Sequence, residues 1–156
     1  MSRHEEAREM EKKYVYGTWR YENTWNPVMI EGGEGCYIVD MDGKRYFDLS
    51  SQLMCSNLGH SNQAVKDAIK EQADKLCYAA PGFGTEVAAK LGKMLAEITP
   101  EPLCKSYLTI GGAEANEAAL QIARMYTKRG KFISRYRSYH GSSSGAVALT
   151  GDPRTH

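Results

Sequence analysis

The spacing of apolar and polar residues divides the chain into segments of different kinds. Residues 2–14 are mostly charged, which predicts a polar helix on the surface. The aromatic stretch from Tyr14 to Trp25 has neither a helical nor a strand period, and it ends at Pro27. We interpret this stretch as an extended arm.

Short β-forming runs separated by glycine follow the arm. The runs are residues 28–31, 36–40 and 44–47, with residues 32–35 and the pair Asp42-Gly43 between them. An Asp-Gly pair between β-forming residues strongly favours a hairpin, because such turns need positive φ at both central residues. The segment therefore predicts a small antiparallel meander.

Two segments with helical periodicity come next. Ser61 is the predicted N-cap of the first helix and Thr85 of the second, and Pro100 lies beyond the end of the second. Each segment has an apolar stripe that we expect to be buried. The stripes are Val65, Ala68, Ile69, Gln72 and Leu76 on the first, and Val87, Leu91, Met94, Leu95 and Ile98 on the second.

The pattern from residue 106 onwards predicts a βαβ unit. Residues 106–110 are a strand candidate, Gly111-Gly112 a turn, about 113–128 a helix, and 131–134 a second strand candidate. This order implies a parallel sheet with helices on its faces, and hence the α/β class. Two parallel strands do not complete such a sheet, so we expect an incomplete fold and a truncated piece of a longer protein.

Composition and charge exclude several classes of protein. With 42% hydrophobic and 25% charged residues, the chain is unlike disordered, collagenous or disulfide-scaffold proteins. A net charge of +1 gives no attraction to nucleic acid or anionic lipid, so we expect neither as a partner. The charged first residues and the lack of a long apolar run predict a soluble cytoplasmic protein. The four cysteines and four histidines lack metal-ligand spacing, which predicts no metal site and reduced, buried thiols.

Paired glycines at the predicted strand-to-helix turn are the most informative feature. The first N–H groups of a helix and its dipole favour an anion, and glycine lets a ligand approach closely. Gly112 and Ala113 are the candidate donors. The residues match neither the dinucleotide-binding motif nor a Walker loop, so a dinucleotide or a nucleoside triphosphate is not favoured. A plain tight turn is the alternative.

A second feature is the sequence Tyr139-His140-Gly141, which follows the second strand candidate. It is predicted to lie at the carboxyl edge of the sheet, where open α/β folds bind ligands. The ring of Tyr139 can stack there on a flat heterocycle. The alternatives are a half-buried packing role for Tyr139 and a structural role for His140.

Several short motifs occur together in a characteristic order. They are Asp40-x-Asp-Gly-x-x-Tyr-x-Asp48, Leu58-Gly59-His60, residues 111–117 followed by Ala123-Arg124, and Tyr139-His140-Gly141. In order and approximate spacing, the chain from about Trp25 to its last residue resembles the class III aminotransferases, pyridoxal-phosphate enzymes of fold type I. The resemblance implies an arm and small-domain meander at residues 1–50. Residues 51–156 would begin the large domain, which binds pyridoxal 5'-phosphate.

The resemblance also implies roles for the two glycine-containing features. Gly111, Gly112 and Ala113 would hold the cofactor phosphate through backbone groups, since the hydroxyls common at this place in the family are missing. Tyr139 would lie against the pyridine ring, with His140 next to it.

Candidate substrate contacts also come from the resemblance. Met54 falls where many relatives have an aromatic wall of the substrate pocket, although a plain core methionine is equally consistent with the sequence. Trp25 and Tyr21 match an arm that closes over the active site in relatives.

No catalytic residue is predicted in this chain. The family's lysine, which forms a Schiff base with the cofactor, and its acidic partner of the pyridinium nitrogen both lie beyond residue 156 in the family order. The resemblance implies amino transfer between an amine or amino acid and a keto acid, in a homodimer. The alternatives are an aminomutase, racemase or decarboxylase with the same cofactor, an inactive interaction fragment, and an unrelated βαβ phosphate-ester binder.

Overall fold

The computed structural model describes residues 1–17 and 20–151. The chain divides into two compact units, Met1–Ala79 and Ala80–His156. Residues 18 and 19 of the predicted arm lie outside the described part, as do the last residues covered by the family resemblance. The domain boundary expected after residue 50 stays a prediction. No helix in the described ranges is long and apolar enough to cross a membrane.

The first unit begins with helix α1, which spans Arg3–Tyr14. Ser2 and Glu5 form a capping box: the Ser2 Oγ accepts from the Glu5 N–H at 3.2 Å, and the Glu5 carboxylate accepts from the Ser2 N–H at 2.7 Å. The helix has no buried residue, which confirms the predicted polar surface helix. A short 3₁₀ turn at Glu22–Thr24 lies within the predicted arm.

The predicted meander is confirmed. Strands β1 (Ile30–Glu34), β2 (Tyr37–Asp40) and β3 (Arg45–Phe47) pair antiparallel in the order β1-β2-β3. Two glycines expected between strands lie within β1 instead. A Cβ at Gly33 would come within 2.9 Å of the Tyr37 carbonyl oxygen, so this close approach of backbones requires glycine inside the strand.

The hairpin between β2 and β3 is present, but its turn differs from the expected type. Of the Asp42-Gly43 pair, only Gly43 has a positive φ, at 81°. The buried Asp40 holds the connection, since its Oδ1 accepts from the N–H groups of Asp42 at 3.0 Å and Lys44 at 2.9 Å. Its Oδ2 accepts from the Tyr46 hydroxyl at 2.8 Å. The Asp40 carboxylate therefore stabilises the connection between β2 and β3 through hydrogen bonds to its backbone N–H groups.

Two helices complete the first unit. Helix α2 is a single turn, Ser51–Met54, and was not predicted; its four residues have φ between 49° and 66°, so it is left-handed. Helix α3 spans Gln63–Lys75, and its N-cap is Asn62 rather than the predicted Ser61. The Asn62 Oδ1 accepts from the Val65 N–H at 3.3 Å, whereas the Ser61 hydroxyl donates to the Gly33 carbonyl at 2.6 Å.

The second unit contains three helices. Helix α4 spans Glu86–Ile98 and is capped by Thr85, as predicted. Helix α5 spans Gly112–Thr127, within one residue of the prediction, and the unpredicted helix α6 spans Ser144–Leu149. Helices α5 and α6 pack against each other.

The two strand candidates of the second unit do not form strands. Residues 106–110 and 131–134 have no strand assignment, and the sheet in the described part of the chain is the antiparallel meander. The Ile110 and Ile133 side chains are fully exposed. A strand needs a hydrogen-bonded neighbour, and a parallel pair gains its stability from a larger sheet covered on both faces. Of the predicted βαβ unit, the helix is therefore present, whereas the two strand segments are not paired.

Burial is confined to few residues. The apolar stripes predicted as buried are largely exposed on α3 and α4; Ile69 is 63% and Ile98 78% exposed. The buried hydrophobic residues are Leu120 and Ala146 in the second unit. The four cysteines are free, as expected, but exposed rather than buried. The predictions of buried apolar stripes and of buried thiols are both wrong, because a side chain is buried only when another element covers it.

Candidate anion-binding site at the start of helix α5

The start of α5 presents unpaired backbone donors. Gly111 is the N-cap and has an extended backbone, and the first intrahelical hydrogen bond runs from the Ala115 N–H to the Gly111 carbonyl at 3.0 Å. The N–H groups of Gly112 and Ala113 precede this bond and have no acceptor within the helix. The Glu114 carboxylate turns back to accept from the Ile110 N–H at 2.9 Å. Helix geometry and dipole therefore make this turn suitable for an anion.

Open space surrounds the paired glycines. A Cβ added to Gly111 or Gly112 would meet no heavy atom within 4 Å, and neither residue has a positive φ. The described protein atoms thus give no steric or conformational reason for glycine at either position. A ligand that lies against the backbone would give one, because a side chain would fill its space. The open space therefore leaves room for a phosphate group at this turn, as the resemblance implies.

The Tyr139-His140-Gly141 segment lies directly against this helix start. Gly141 is buried and has a φ of 134°, and a Cβ there would come within 2.5 Å of the Ala113 Cβ. Only glycine permits so close an approach. The structure thereby brings together the two features that the sequence suggested separately.

Two side chains fix the main chain of His140. The Asn116 amide donates to the His140 carbonyl at 2.6 Å, and the His140 N–H donates to the Thr150 Oγ1 at 3.1 Å. Thr150 is buried, and its hydroxyl also donates to the Ala146 carbonyl at 2.9 Å. His140 is therefore held through its backbone, and this determines the position of Tyr139 beside it.

Glu117 joins helix α5 to helix α6. Its Oε1 accepts from the N–H groups of Gly145 at 2.6 Å and Ala146 at 3.0 Å. The Ser143 side chain and these amides lower the pKa of Glu117. The carboxylate thus satisfies the first donors of α6 and fixes the segment that leads back to Gly141.

Asn116, Glu117 and Thr150 were not predicted as site residues. Asn116 and Glu117 lie four positions after Gly112 and Ala113, and residues four apart share one face of a helix. That spacing is a signal that could have identified them. Thr150 has no comparable local signal, because its partners come from the folded loop.

The Tyr139 ring is half-exposed, with 50% of the residue accessible, and its hydroxyl lies 3.2 Å from the Ser142 Oγ. A ring with one part packed and another accessible, on a fixed backbone, can stack on a flat ligand. The geometry is thus compatible with the stacking role that the resemblance implies.

The candidate substrate residues belong to the first unit. Tyr21 is 86% and Met54 75% exposed, so Met54 is not a core residue of this unit. Trp25 is half-buried and has the Arg20 guanidinium 4.7 Å from its ring centroid. Their predicted contact with substrate stays a prediction.

A polar cluster around Asp48 also lies in the first unit. The Asp48 Oδ2 is 2.8 Å from His60 Nε2, and its Oδ1 accepts from the N–H groups of Ser50 at 3.2 Å and Gln52 at 3.4 Å. The hydrogen bond to His60 is the largest of the contacts that lower the pKa of Asp48 to about 2. The His60 backbone exchanges two hydrogen bonds with Gly35, at 2.7 and 3.1 Å.

Comparison with known proteins shows a family whose model matches most of the chain. A family model described as aminotransferase class-III matches residues 19–156. The adenosylmethionine-8-amino-7-oxononanoate aminotransferase of Methanocaldococcus jannaschii is 37% identical over 163 residues, which cover 92% of this chain and 35% of that protein. A leucine/methionine racemase of Thermococcus litoralis is 36% identical over 129 residues, covering 82% of this chain and 29% of the racemase.

A solved structure resembles the whole described fold. The taurine:2-oxoglutarate aminotransferase of Bifidobacterium kashiwanohense, in complex with PLP and glutamate, superposes with a TM-score of 0.92 and is 44% identical. The match covers 97% of this chain and 34% of that one. The present chain thus spans about a third of the length of the proteins it matches.

Proposed function

The chain belongs to the class III aminotransferase family, and on this premise we propose that it is the amino-terminal third of a pyridoxal-phosphate-dependent aminotransferase. The proposed reaction transfers an amino group from an amine or amino acid to a keto acid. The fold of the chain is that of fold type I transaminases. The named activities of the relatives support the proposed reaction. The coverage of about a third of their length supports the proposal that this chain is one part of a longer enzyme.

One contact carries this proposal: Gly141 against Ala113. This contact joins the segment that carries Tyr139 to a helix start whose first N–H groups have no acceptor within the helix, and where the described atoms leave open space. A phosphate group and a flat ring in one small ligand match these two features. Pyridoxal phosphate has both, and the site fits it.

The residues of this chain would bind and orient the cofactor. The N–H groups of Gly112 and Ala113 donate to the phosphate, and Gly111 leaves room for it. Tyr139 lies against the pyridine ring, and the backbone of His140 holds it there. When bound, pyridoxal phosphate supplies an electron sink for bond breaking at the amine carbon. We assign no lysine of this chain to the chemistry, which we expect to depend on residues outside it.

The remaining predictions belong to the same proposal. Tyr21, Trp25 and Met54 would contact substrate; the exposure of Tyr21 and Met54 supports this. A homodimer in the cytoplasm, acting on a small amino donor and a keto acid, completes the proposed enzyme.

A racemase is the second candidate, because a leucine/methionine racemase is 36% identical to the chain. Racemisation uses the same cofactor and the same carbon, so the site described above serves both reactions. In transamination the amino group passes to a different keto acid, whereas in racemisation it stays with the original amino acid.

The test uses the holoenzyme that carries this sequence. Bound cofactor is identified by mass spectrometry, and amino donors including taurine and α-amino acids are supplied with 2-oxoglutarate. Formation of glutamate supports the aminotransferase. Loss of optical activity without glutamate supports the racemase, and an enzyme that contains no pyridoxal phosphate overturns both.

A further inference from the structure

We propose that Asp48 is a positioning residue: it keeps α2 left-handed, and this conformation sets the affinity of the enzyme for its amino donor. The inference about affinity rests on the proposed function, because it takes Met54 at the end of α2 as a substrate contact. The inference about conformation rests on the structure of the first unit alone.

The left-handed conformation of α2 needs an explanation. Ser51, Gln52, Leu53 and Met54 have φ values of 49°, 50°, 59° and 66°, and none of them is glycine. The conformation crowds the Cβ of each L-residue against its own backbone, so runs of this kind are rare. Strained backbone persists only when surrounding contacts determine it.

Packing does not hold this turn within its unit. Leu53 is 70% and Met54 75% exposed, and α2 has no buried residue. The internal hydrogen bonds of the turn, such as that from the Met54 N–H to the Ser50 carbonyl at 2.9 Å, stabilise a helical turn without selecting its hand. The choice of hand must come from contacts outside the turn.

Asp48 provides such contacts. Its Oδ1 accepts from the N–H of Ser50 at 3.2 Å, from the Ser50 hydroxyl at 3.1 Å and from the Gln52 N–H at 3.4 Å. These groups lie at the entry to the turn, where a helical turn has donors without internal acceptors. One carboxylate oxygen thus fixes the direction in which the chain enters α2.

The carboxylate is itself held by the sheet. The Asp48 side chain is only 4% exposed, and its other oxygen, Oδ2, lies 2.8 Å from His60 Nε2. The Asp48 N–H donates to the Cys36 carbonyl at 2.9 Å, and His60 pairs through its backbone with Gly35. The meander therefore positions Asp48 from two sides, and Asp48 positions α2.

The consequence concerns substrate rather than cofactor. Residues 53 and 54 point in directions that depend on the hand of the turn, because inverting φ and ψ moves every side chain. The phosphate and ring contacts proposed above belong to the other unit, Ala80–His156. Loss of Asp48 should therefore weaken donor binding and leave cofactor binding intact.

The first experiment replaces Asp48 by Ala in the holoenzyme, because Asn would keep the Oδ1 acceptor. We expect the KM for the amino donor to rise about tenfold, with kcat and cofactor affinity within about twofold of wild type. Asp74→Ala is the matched control, since Asp74 is an exposed aspartate on α3 and the same change should leave all three values unchanged.

A second variant tests whether strain is the cause. Glycine adopts positive φ without cost, so Ser51→Gly in the Asp48→Ala background should restore most of the lost donor affinity. Ser51→Ala in that background removes the same hydroxyl and keeps the Cβ, so it should restore none.

The outcomes separate the two levels of the proposal. An unchanged KM in Asp48→Ala, equal losses in KM, kcat and cofactor affinity, or equal effects of Ser51→Gly and Ser51→Ala would each overturn the positioning role. If the holoenzyme has no amino-transfer or racemase activity, the proposed function fails instead. Hydrogen exchange then tests the conformation directly: the Ser50 and Gln52 amides should exchange faster in Asp48→Ala than in Asp74→Ala, and equal rates would contradict it.

Discussion

Gly141 and Ala113 approach so closely that a Cβ on the glycine would lie 2.5 Å from the alanine Cβ. Gly112, one residue before Ala113, has no neighbour within 4 Å of the corresponding position. The site thus contains one glycine that the packing of the protein requires and one for which the described protein atoms give no such requirement. Substitutions at the two glycines can therefore distinguish effects on the fold from effects on ligand binding.

Replacing Gly141 by Ala should disturb both the fold and the site. The new Cβ meets Ala113, and the φ of 134° is unfavourable for any residue with a side chain. We expect a lower melting temperature and weaker cofactor binding in the holoenzyme, measured by calorimetry and by titration with pyridoxal phosphate. A variant with wild-type melting and cofactor affinity would contradict the packing described here.

Replacing Gly112 by Val should affect the cofactor alone. The apoenzyme should melt within about 2 °C of wild type, whereas the Kd for pyridoxal phosphate should rise about tenfold or more, because the side chain fills the phosphate space. Gly92→Val is the control, since Gly92 is also a helical glycine with nothing within 4 Å. Wild-type cofactor affinity in Gly112→Val would exclude phosphate binding at this turn.

Tyr139 should contribute ring area rather than acid–base chemistry. Tyr139→Phe loses only the hydroxyl, which lies 3.2 Å from Ser142 Oγ, and should keep most of the activity. Tyr139→Ala removes the ring and should weaken cofactor retention, because stacking is lost. Both are measured by dialysis against buffer without cofactor, followed by assay. Equal and severe losses would show that the hydroxyl is essential.

The Asp48–His60 pair should make stability depend on pH in the acid range. The pKa of Asp48 is lowered from 3.8 to about 2 in the folded protein, so its contribution to stability is complete above 3.8 and is lost as the pH falls through 2. The difference in unfolding free energy between wild type and Asp48→Asn should therefore shrink as the pH falls from about 4 to about 2. Denaturant titrations measure it, with Asp74→Asn as a control that parallels wild type. A difference independent of pH would refute the lowered pKa.

Residues 1–156 prepared alone should associate or be poorly compact. Large apolar side chains on α3 and α4 are exposed, including Ile69 at 63%, Met94 at 62% and Ile98 at 78%. Apolar faces of this kind promote association and bind hydrophobic dyes. Sedimentation and dye fluorescence would test this against the holoenzyme. A monodisperse monomer with cooperative unfolding would contradict the expectation.

Elements with local signals were predictable from the sequence. The Asp42-Gly43 pair identified the hairpin, Thr85 identified the start of α4, and the glycines at 111 and 112 identified the start of α5. Each depends on a side chain or a φ value within a few residues. The N-cap of α3 was predicted at Ser61 and lies at Asn62; both residue types cap helices well, and only the folded sheet decides which one is used.

Elements that depend on distant partners were not predictable in the same way. Residues 106–110 have a β-forming sequence, but pairing depends on a neighbour that the sequence does not specify. The left-handed turn α2 contains no glycine, so propensity gives no indication of it, and Asp48 determines it through the folded sheet. In the site, Gly112 and Tyr139 were found by motif, whereas Thr150 is recognisable only in the folded loop.

The meander also has a consequence for the order of folding. Its strands are neighbours along the chain, and each pair is joined by a connection of a few residues, including 41–44. Hairpins of this kind close in about 1–10 μs, far faster than elements that wait for partners distant in sequence. During synthesis the meander can therefore form once residue 47 has emerged, and His60 can pair with Gly35 soon afterwards. The strained turn α2 would then be set before helix α5 has been synthesised.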